Sequence, residues 1–324
     1  MRAAYYERNG SAREVLSLGE IETPQPGPGE VRVKLKTSGV NPSDVKSREG
    51  RTRKIAFPRV VPHSDGAGDI DAVGIGVPAS RIGERVWTWN GQWKRAFGTC
   101  ADHIVLPAAL AVKLPDHVSY EAGACLGIPA MTAYHAVEVA GPAKTVLVSG
   151  GAGGVGHYAI QFAKARGATV LTTVSSDAKA KLAREAGADH VIDYKRENVG
   201  DRVMAITGKA GVDAVIEMDL AANAKLAPSI LHPRGTIVVY GTGSQIAEIP
   251  AQFMLTNAIA IKFVFVYELT QAERDAAVGA ITRMLENKTL INNVALTLPL
   301  EDIVAAHEAV EAGQTLGNVV VRTA

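Results

Sequence analysis

The sequence predicts an α/β protein in which a doubly wound parallel sheet is joined to a β-rich unit. From Thr145 onward, strand-like and helix-like segments alternate, which is the pattern of βαβ units with helices on both faces of a sheet. Before about Tyr120 the pattern differs, because β-like runs are separated there by Pro-Gly turns such as PQPGPGE. A chain of 324 residues is long enough for two domains with separate cores.

The β-rich half is predicted from alternating apolar and polar residues. The run VRVKLKTSGV extends from Val31 to Val40, and a second β-like run extends from Asp69 to Val77. Because successive strand side chains point to opposite faces, such alternation is typical of strands with one face in a core. We expect residues 1–119 to form this unit.

The parallel sheet is predicted from five buried strand-like segments, which are TVLVSG, TVLTTV, HVIDY, DAVIEM and TIVVYG. The helix-like segments HYAIQFAKARG and DAKAKLAREAG lie between the first three of them. These elements define a doubly wound domain at residues 120–262. The C-terminal piece, residues 263–324 with the strand-like run IAIKFVFV at its start, is too short for a domain, and we expect it to complete the β-rich unit.

Charge and composition narrow the class of protein. Lys and Arg number 34 against 33 Asp and Glu, so no global field draws the chain to nucleic acid or to an anionic membrane. The first residues lack an apolar signal region, and no later run reaches the roughly 18 apolar residues of a membrane span, so we expect a cytoplasmic protein. Cys100 and Cys125 have no CxxC spacing, which predicts two buried thiols.

A glycine-rich turn carries the strongest local signal. In SGGAGGVG, residues Gly151, Gly153 and Gly156 fit the G-x-G-x-x-G pattern, directly after a predicted strand and at the start of a predicted helix. We assign Gly151 to the tight turn, Gly153 to a close approach of the backbone to a pyrophosphate, and Gly156 to helix packing. The turn is completed by Ala152, Gly154 and Val155. The alternative is a glycine-rich turn without a ligand.

The end of the second strand indicates which nicotinamide cofactor binds. An NAD site places Asp or Glu there, whereas the 2′-phosphate of NADP needs a neutral position with cations nearby. Ser175 takes the acidic position, followed by Ser176, and Lys179 lies four residues after Ser175. Tyr194 ends the next strand, where an aromatic ring can pack on adenine. The sequence therefore predicts NADPH.

Two residues in this segment have open roles. Asp177 either faces the ribose and repels the 2′-phosphate or is the N-cap of the following helix, and we favour the cap. Lys179 is either a phosphate ligand or a solvated charge in the first helical turn.

Several motifs along the chain resemble the medium-chain dehydrogenase/reductase superfamily, and within it the zinc-free, ζ-crystallin-like quinone oxidoreductases. The resemblance spans nearly the whole chain and rests on MRAAYY, GVNPSD, PHSDGAG, GERVW, IPAMTAYHAV, SGGAGGVGHYAIQFAK, GADHVIDY and GTIVVYG. It implies a GroES-like β-rich substrate domain beside a Rossmann dinucleotide domain, with the active site in the cleft between them. It also implies a homodimer that pairs through the IAIKFVFV strand. This run would be an aggregation-prone edge strand if it were left unpaired.

The zinc ligands of the alcohol dehydrogenases in this superfamily are not matched. Asn41 stands where these enzymes have Cys, His63-Ser64 stands where they have His-Glu, and the third ligand position falls near Ile128. One imidazole is too few for a zinc site, which needs at least three protein ligands. We therefore expect a zinc-free enzyme in which alcohol oxidation is disfavoured.

The resemblance also assigns roles to individual positions. Asn41 is expected beside the nicotinamide and Thr132 at the nicotinamide-side phosphate. Gly241 and the backbone near Phe265 are expected to flank the nicotinamide, and Asn318 to approach the cofactor. Ser175, Ser176, Lys179 and Tyr194 correspond to the residues that hold the 2′-phosphate and adenosine. Lys46 replaces a substrate-contacting Tyr of several relatives, and we assign it with Asn41 to the catalytic region.

Simpler structural roles remain open for several of these residues. Asn41 is alternatively an organiser of the turn before Pro42, and Thr132 is alternatively a helix cap. His63 is interpreted as a hydrogen-bonded turn residue. Three tryptophans are either aromatic substrate contacts or core residues, and we favour the core because they alternate on a predicted strand: Trp87, Trp89 and Trp93. A cluster of basic residues is interpreted as a solvated loop: Arg51, Arg53 and Lys54.

The predicted function is hydride transfer from C4 of NADPH to an electrophilic quinone, without zinc. Proximity can lower the barrier by roughly 7–11 kcal/mol, so the chemistry does not require a strong acid or base. An NADPH-dependent alkenal or enone double-bond reductase is the enzymatic alternative, because it uses the same hydride. A non-catalytic NADPH-binding sensor or structural protein is the alternative from another class, since fold alone does not establish catalysis.

Overall fold

The structure is a computed structural model that describes residues 1–323. The chain divides into two compact units. The first unit consists of residues 1–129 together with residues 281–323, and the second unit consists of residues 130–280.

The elements before residue 130 are mostly short strands. They are β1 (Arg2–Tyr5), α1 (Ala12–Val15), β2 (Ser17–Glu20), β3 (Glu30–Val40), α2 (Pro42–Arg48), β4 (Asp65–Val73), β5 (Arg85–Thr88), β6 (His103–Pro107), β7 (Ala111–Lys113) and α3 (Tyr120–Gly123). The 3-10 turns Ala79–Arg81 and Ala108–Leu110 and a π-helical turn at Leu126–Ala130 lie between them or follow them.

Strands and helices alternate in the remainder of the chain. They are α4 (Met131–Ala140), β8 (Thr145–Val148), α5 (Gly154–Ala165), β9 (Thr169–Val174), α6 (Asp177–Glu185), β10 (His190–Asp193), α7 (Val199–Ile206), β11 (Val212–Glu217), α8 (Leu220–Asn223), α9 (Ala227–Ile230), β12 (Leu231–Val239), α10 (Ala251–Thr256), β13 (Ala260–Phe263), α11 (Gln271–Glu286), β14 (Val294–Pro299), α12 (Ile303–Glu311) and β15 (Asn318–Arg322). Further 3-10 turns cover Ala224–Leu226, Val266–Glu268 and Leu300–Asp302.

The first unit contains a β-rich core around the long strand β3. The sheet has the order β14-β15-β3-β4-β5-β7, and β6 pairs separately with β3. Alternate β3 residues Val31, Val33 and Leu35 are fully buried in one hydrophobic cluster. This alternation is the reason that a strand forms here, because one face of the pleat enters the core. The predicted strand from Val31 to Val40 is therefore confirmed.

The second predicted run in this unit begins earlier than expected. It was placed at residues 69–77, whereas β4 covers Asp65–Val73. The strand ends before Gly74, whose backbone lies so close to the Gly27 carbonyl that an added Cβ would be 1.7 Å from its oxygen. Gly76 then turns the chain with φ +86°.

The second unit is a six-stranded parallel sheet of order β10-β9-β8-β11-β12-β13. Successive residues such as Val146, Leu147 and Val148 are all buried, because helices cover both faces of such a sheet. Side-chain caps begin two of the helices: Ser176 accepts from the Lys179 N–H for α6, and Asn198 accepts from the Asp201 N–H for α7. The predicted doubly wound sheet is confirmed.

The unit boundaries lie beyond the ones expected from sequence at 119/120 and 262/263. Helix α3 belongs to the first unit, because Thr37 Oγ1 donates to the Tyr120 carbonyl at 2.7 Å and the Tyr120 hydroxyl donates to Asp69 at 2.6 Å. At the other boundary, the Val264 N–H still donates to the Val239 carbonyl at 2.8 Å. The run IAIKFVFV therefore supplies the sixth strand of the parallel sheet and is not part of the first unit, as the sequence interpretation had placed it.

The sequence also predicts that the chain has no membrane-spanning helix and that its two thiols are buried. Within residues 1–323, no helix has the length and apolar character needed to cross a membrane. Cys100 and Cys125 are both free and buried, as predicted. Burial raises the pKa of each thiol above its usual range, which makes both poor nucleophiles.

Candidate functional site

The predicted cofactor residues of the second unit lie where the parallel strands end. We call this border of the sheet the carboxyl edge: it consists of residues 149–156 after β8, 175–179 after β9, Tyr194 after β10, 217–219 at the end of β11 and Gly241 after β12. Because all strands are parallel, their carboxyl ends meet at one side of the sheet. Ligands of open parallel sheets bind at this side.

The glycine turn adopts a conformation that differs in detail from the expected one. Gly150, not Gly151, has the left-handed backbone, with φ +69°. Gly151 is required for another reason, because an added Cβ would lie 2.1 Å from the Thr172 hydroxyl oxygen. Gly156 packs against the preceding turn, where an added Cβ would lie 2.3 Å from the Gly150 carbonyl oxygen.

The turn fits the pyrophosphate of a dinucleotide. Gly153 is the exposed N-cap of α5, and an added Cβ there has only the Gly150 carbonyl oxygen nearby, at 3.3 Å. The first residues of α5 include Gly154, Val155 and Gly156, whose N–H groups have no carbonyl acceptor within the helix. Ala152, at the centre of the turn, is buried. A helix N-terminus with an open approach is an anion-binding arrangement.

The second strand ends in an arrangement suited to a phosphate. Ser175 follows β9 and is half-buried, and no carboxylate precedes Asp177 after this strand. Lys179 lies in the first turn of α6, and its ammonium makes no ion pair within residues 1–323. Tyr194 follows the adjacent strand β10, and its ring is 53% exposed. Neutral Ser175, free Lys179 and exposed Tyr194 therefore lie at the ends of neighbouring strands.

The expected cap role of Asp177 is wrong. The N-cap of α6 is Ser176, whose hydroxyl accepts from the Lys179 N–H at 3.3 Å, and Asp177 is the first residue of the helix. The Asp177 carboxylate instead pairs with Arg196 at 3.0 Å. Both partners are largely exposed, so this ion pair contributes little to stability, but it satisfies the carboxylate that could repel a 2′-phosphate.

A buried acid that sequence reasoning missed supports the glycine turn. Glu217 ends β11 and is 3% exposed. It accepts hydrogen bonds from the Ser149 hydroxyl at 2.7 Å, the Asp219 N–H at 2.6 Å and the Asn223 amide at 2.9 Å. A carboxylate with three donors ties the end of β8 to the end of β11. A lone Glu at a strand end carries no sequence motif that identifies it.

Three further residues of the second unit are candidates for the nicotinamide end of the site: Thr132, Gly241 and Phe265. Thr132 is buried in the first turn of α4, but the N-cap of that helix is Ala130, so the alternative cap role is wrong. Gly241 follows β12 and lies against Met218, whose carbonyl oxygen would be 2.4 Å from an added Cβ. The Phe265 ring is 55% exposed.

In the first unit, Asn41 is the centre of a buried polar group that we call the Asn41 cluster: Asn41, Asp44, Asp65 and the backbone of Ile128. Asn41 precedes α2, and its side-chain amide donates to Asp65 Oδ2 at 2.7 Å. Asp65 Oδ1 accepts from the Ile128 N–H at 2.9 Å, and the Asn41 N–H donates to Asp44 at 2.8 Å. Three segments distant in sequence therefore converge on one carboxyl group.

Burial dominates the electrostatics of the Asn41 cluster. It raises the pKa of the Asp65 carboxyl well above its usual range, although hydrogen bonds from Asn41 and Ile128 act in the opposite direction. Burial also raises the pKa of Asp44 to about 7, while the Asn41 N–H and the positive charge of Arg53 oppose the increase. Both carboxyl groups of the cluster therefore hold a proton more strongly than an exposed carboxyl group does.

His63 lies in a buried network that reaches the Asp65 backbone through Ser38 and Thr99, and both of its ring nitrogens are engaged. Its Nδ1 is 2.8 Å from the Ser38 hydroxyl, and its Nε2 is 3.0 Å from Nε2 of His307. Burial lowers the pKa of His63 to about 3 and that of His307 well below its usual value. The interpretation of His63 as a hydrogen-bonded residue is confirmed; its φ of +77° is left-handed, but no turn is assigned at this residue.

The positions of the expected zinc ligands do converge, but their chemistry does not suit zinc. Asn41 and Ile128 both contact Asp65, so a carboxyl group occupies the centre of this region. Across residues 1–323, no group of three or more His, Cys, Asp or Glu side chains could hold a metal ion. The zinc-free expectation stays a prediction, to be checked by metal analysis of the purified protein.

Other candidates of the first unit have structural contacts. Lys46 lies half-buried in α2, and its carbonyl accepts from the Arg51 N–H at 2.9 Å. The Asn318 side chain donates to the Asn293 carbonyl at 3.1 Å. Trp87 and Trp89 are buried, as expected, whereas Trp93 is half-buried beneath the Arg53 guanidinium. The expectation of a solvated loop fits Arg51 and Lys54 but not Arg53.

Two family models match the chain. The alcohol dehydrogenase GroES-like domain matches residues 27–116, and the zinc-binding dehydrogenase family matches residues 154–283. The predicted combination of a GroES-like β-rich domain with a Rossmann sheet is therefore confirmed.

Relatives match over almost the full chain. A quinone oxidoreductase from Pongo abelii is 33% identical over 308 residues, covering 93% of this chain and 91% of that protein. A 2-haloacrylate reductase from a Burkholderia species is 29% identical over 333 residues, covering 99% of this chain and 98% of that protein. A mycobacterial protein solved in complex with NADPH has a TM-score of 0.89 at 31% identity, covering 99% of this chain and 100% of that chain.

Proposed function

Because the chain belongs to the quinone oxidoreductase family of the medium-chain dehydrogenases/reductases, we propose that it is an enzyme that reduces quinones with NADPH and without zinc. The observation that carries the proposal is the carboxyl edge, where an open glycine turn at the start of α5 adjoins a neutral Ser175 and an unpaired Lys179. These features suit the pyrophosphate and the 2′-phosphate of NADPH, respectively.

In this proposal, the residues of the chain bind NADPH and orient it toward the substrate. When bound, NADPH supplies a hydride from C4 of its nicotinamide to an electrophilic carbon or oxygen of the substrate. Ala152, Gly154, Val155 and Gly156 hold the pyrophosphate together with Gly151 and Gly153, and Ser175, Ser176, Lys179 and Tyr194 hold the adenosine end. Positions at the nicotinamide end are assigned to Asn41, Thr132, Gly241, Phe265 and Asn318, and Lys46 is assigned with Asn41 to the catalytic region.

Reduction of an activated carbon–carbon double bond is the second candidate activity. The observation that favours it is the 29% identity to a 2-haloacrylate reductase over 99% of this chain. The two reactions use the same hydride and differ in the acceptor atom and in the site of protonation. In the Asn41 cluster, burial raises the pKa of Asp44 to about 7, so this carboxyl group titrates near neutral pH.

The activity is tested by following NADPH oxidation at 340 nm with a panel of acceptors. The panel consists of a benzoquinone, a conjugated enal, a simple aldehyde and, with NADP⁺, a primary alcohol. We expect the highest kcat/KM for the quinone. Faster turnover of the enal assigns the enzyme to the double-bond reductases, alcohol oxidation contradicts both activities, and no turnover with intact NADPH binding favours the sensor or structural alternative.

A homodimer belongs to the same proposal. Strand β13 is an edge of the parallel sheet, and Phe263 on it is 72% exposed. Leu255, in the preceding helix α10, is 82% exposed. An apolar edge strand of this kind is typically covered by a partner, and a second copy would do so symmetrically. Light scattering at micromolar concentration should give twice the mass of the chain, and a monomeric mass would contradict the pairing.

A cytoplasmic location is the last part of the proposal. Both thiols of the chain are free, which fits a reducing compartment. Fractionation of cells that express the protein at natural levels tests it.

A further inference from the structure

Arg53 has an unusual fixed position at the surface of the first unit. Its guanidinium donates to the side-chain oxygen of Gln92 and lies 5.2 Å from the centroid of the Trp93 ring. Gln92 is itself 5% exposed, and its amide nitrogen donates to the Arg95 carbonyl at 2.8 Å, so the oxygen that holds Arg53 is fixed too. A cation over a tryptophan face gains further stabilisation, and the guanidinium therefore keeps one orientation.

The positive charge of Arg53 acts on the buried carboxyl of Asp44, but the two groups form no direct ion pair. Within residues 1–323, no carboxylate forms an ion pair with it, and its hydrogen-bond partner Gln92 is neutral. Glu49, four residues earlier, already pairs with Arg51 at 3.3 Å and with Arg48 at 3.8 Å. A guanidinium carries five N–H donors in a planar fork that matches a carboxylate. Gln92 accepts from one nitrogen of Arg53, and the residue is partly exposed, so other donors of the fork remain for an external anion.

A short series of contacts connects Arg53 to the Asn41 cluster. Asn41 binds Asp65, and the Ser64 carbonyl, one residue earlier, accepts from the Gly91 N–H at 2.9 Å. Gln92 follows Gly91 and holds Arg53. The charge of Arg53 also acts on Asp44, where it opposes the increase of the pKa. Arg53 is therefore connected to the Asn41 cluster through Gly91 and Gln92 and through its charge, which acts on Asp44.

We propose that Arg53 binds a carboxylate of the substrate, so that the enzyme prefers electrophiles that carry an anionic group beside the reacting double bond. This inference rests on the proposed NADPH-dependent reductase activity and on the assignment of Asn41 to the reacting end. The substrate class is a carboxylate-bearing quinone or enone. A bidentate carboxylate on Arg53 also orients the substrate, because both oxygens are fixed by parallel N–H donors.

A matched substrate pair makes the inference testable. (E)-4-Oxopent-2-enoate is an enone with a carboxylate, and its methyl ester is the neutral analogue. Its reduction consumes one NADPH and one solvent proton: the hydride forms a C–H bond at one alkene carbon, the proton binds the other, and the products are 4-oxopentanoate and NADP⁺.

The first experiment compares kcat/KM of both compounds for wild type and Arg53→Met. Loss of one charge-assisted carboxylate contact should lower kcat/KM for the anion by about tenfold to a hundredfold and leave the ester within about twofold. Gln92→Glu should act in the same selective way, because it places a carboxylate on Arg53 itself. The control is Lys54→Met, which removes an exposed neighbouring charge and should leave both compounds within about twofold.

Several results would overturn the carboxylate site while leaving the reductase activity intact. They are an equal loss for the acid and the ester in Arg53→Met, no loss for either, or an equally large effect of Lys54→Met. In each case 1,4-benzoquinone, which is neutral, should still be reduced by wild type.

If wild type reduces neither benzoquinone nor the enone, the proposed function fails and binding decides the carboxylate site separately. Titration of 4-oxopentanoate into protein with saturating NADP⁺ should give a dissociation constant about tenfold to a hundredfold higher for Arg53→Met than for wild type. Equal constants, or no binding to wild type, would overturn the site.

Discussion

The two units build their functional regions from different parts of the polypeptide. In the second unit, the turn at residues 149–156 presents backbone N–H groups, and its glycines provide the space around them. In the first unit, the Asn41 cluster consists of buried side chains that converge from β3–α2, β4 and the turn at Leu126–Ala130. A site built from backbone groups is disrupted when a substitution adds side-chain volume, because the backbone must then move. A cluster of buried side chains is destabilised when a single hydrogen-bond acceptor is removed, because its donors are left unpaired.

The largest effect is expected from adding volume to the backbone site. In Gly156→Ala, the new methyl group would lie 2.3 Å from the Gly150 carbonyl oxygen, so the turn or the helix must move. We expect a loss of about 3 kcal/mol in the free energy of unfolding, measured by urea denaturation. Gly153→Ala is the matched control, because its methyl would meet only one atom, at 3.3 Å, and it should cost no more than about 1 kcal/mol. Equal stability of the two variants would show that the turn is not closely packed.

A smaller effect is expected from removing the acceptor of the side-chain cluster. Asp65→Ala leaves the Asn41 amide and the Ile128 N–H without their partner in a buried region. The expected loss is about 2 kcal/mol, and Asp65→Asn should cost about half as much because its amide oxygen still accepts one bond. Urea denaturation of both variants provides the measurement. A stable Asp65→Ala protein would mean that water reaches both donors.

The pH dependence of the first unit has two contributions, and they have opposite signs. The folded pKa of Asp44 is about 7 against an ordinary 3.8, so between these pH values the folded state holds a proton that the unfolded state has lost. Its contribution to stability therefore falls as pH rises through this window. The folded pKa of His63 is about 3 against an ordinary 6.5, so its contribution rises with pH between those values.

Two variants separate these contributions. Asp44→Asn should make the slope of unfolding free energy against pH more positive between pH 4 and pH 7. His63→Gln should make the slope less positive, since it removes the group that must remain neutral when buried. Urea denaturation at pH 4.5, 5.5 and 6.5 measures both slopes, and unchanged slopes would show that neither group stays buried in its stated protonation state.

The difference between the local glycine turn and the long-range Asn41 cluster also explains which features the sequence could predict. The glycine turn, five strand segments of the parallel sheet and Ser175 follow patterns confined to a few consecutive residues, so their positions could be predicted from local spacing. The Asn41–Asp65 contact joins residues 24 positions apart, and Glu217 contacts Ser149 across 68 positions. No local pattern encodes such contacts, because they depend on how β3, β4, β8 and β11 are arranged.

Some errors had local causes. Asp177 was assigned as the cap, whereas Ser176 is the cap; both residue types are good N-caps, and only the start of the helix distinguishes them. The run IAIKFVFV was assigned to the wrong unit, because a short apolar strand does not reveal which sheet it joins. Arg53 was grouped with its exposed neighbours. Its hydrogen bond to Gln92 joins residues 39 positions apart, and no local sequence pattern predicts such a contact.

The central claim is that the carboxyl edge binds NADPH in preference to NADH through Ser175 and Lys179. Calorimetric titration of both cofactors into wild type, Ser175→Asp and Lys179→Ala tests it directly. We expect wild type to bind NADPH more tightly, Lys179→Ala to weaken NADPH alone by about tenfold to a hundredfold, and Ser175→Asp to remove the preference. Equal affinity of wild type for the two cofactors, or an unchanged NADPH affinity in Lys179→Ala, would contradict the account.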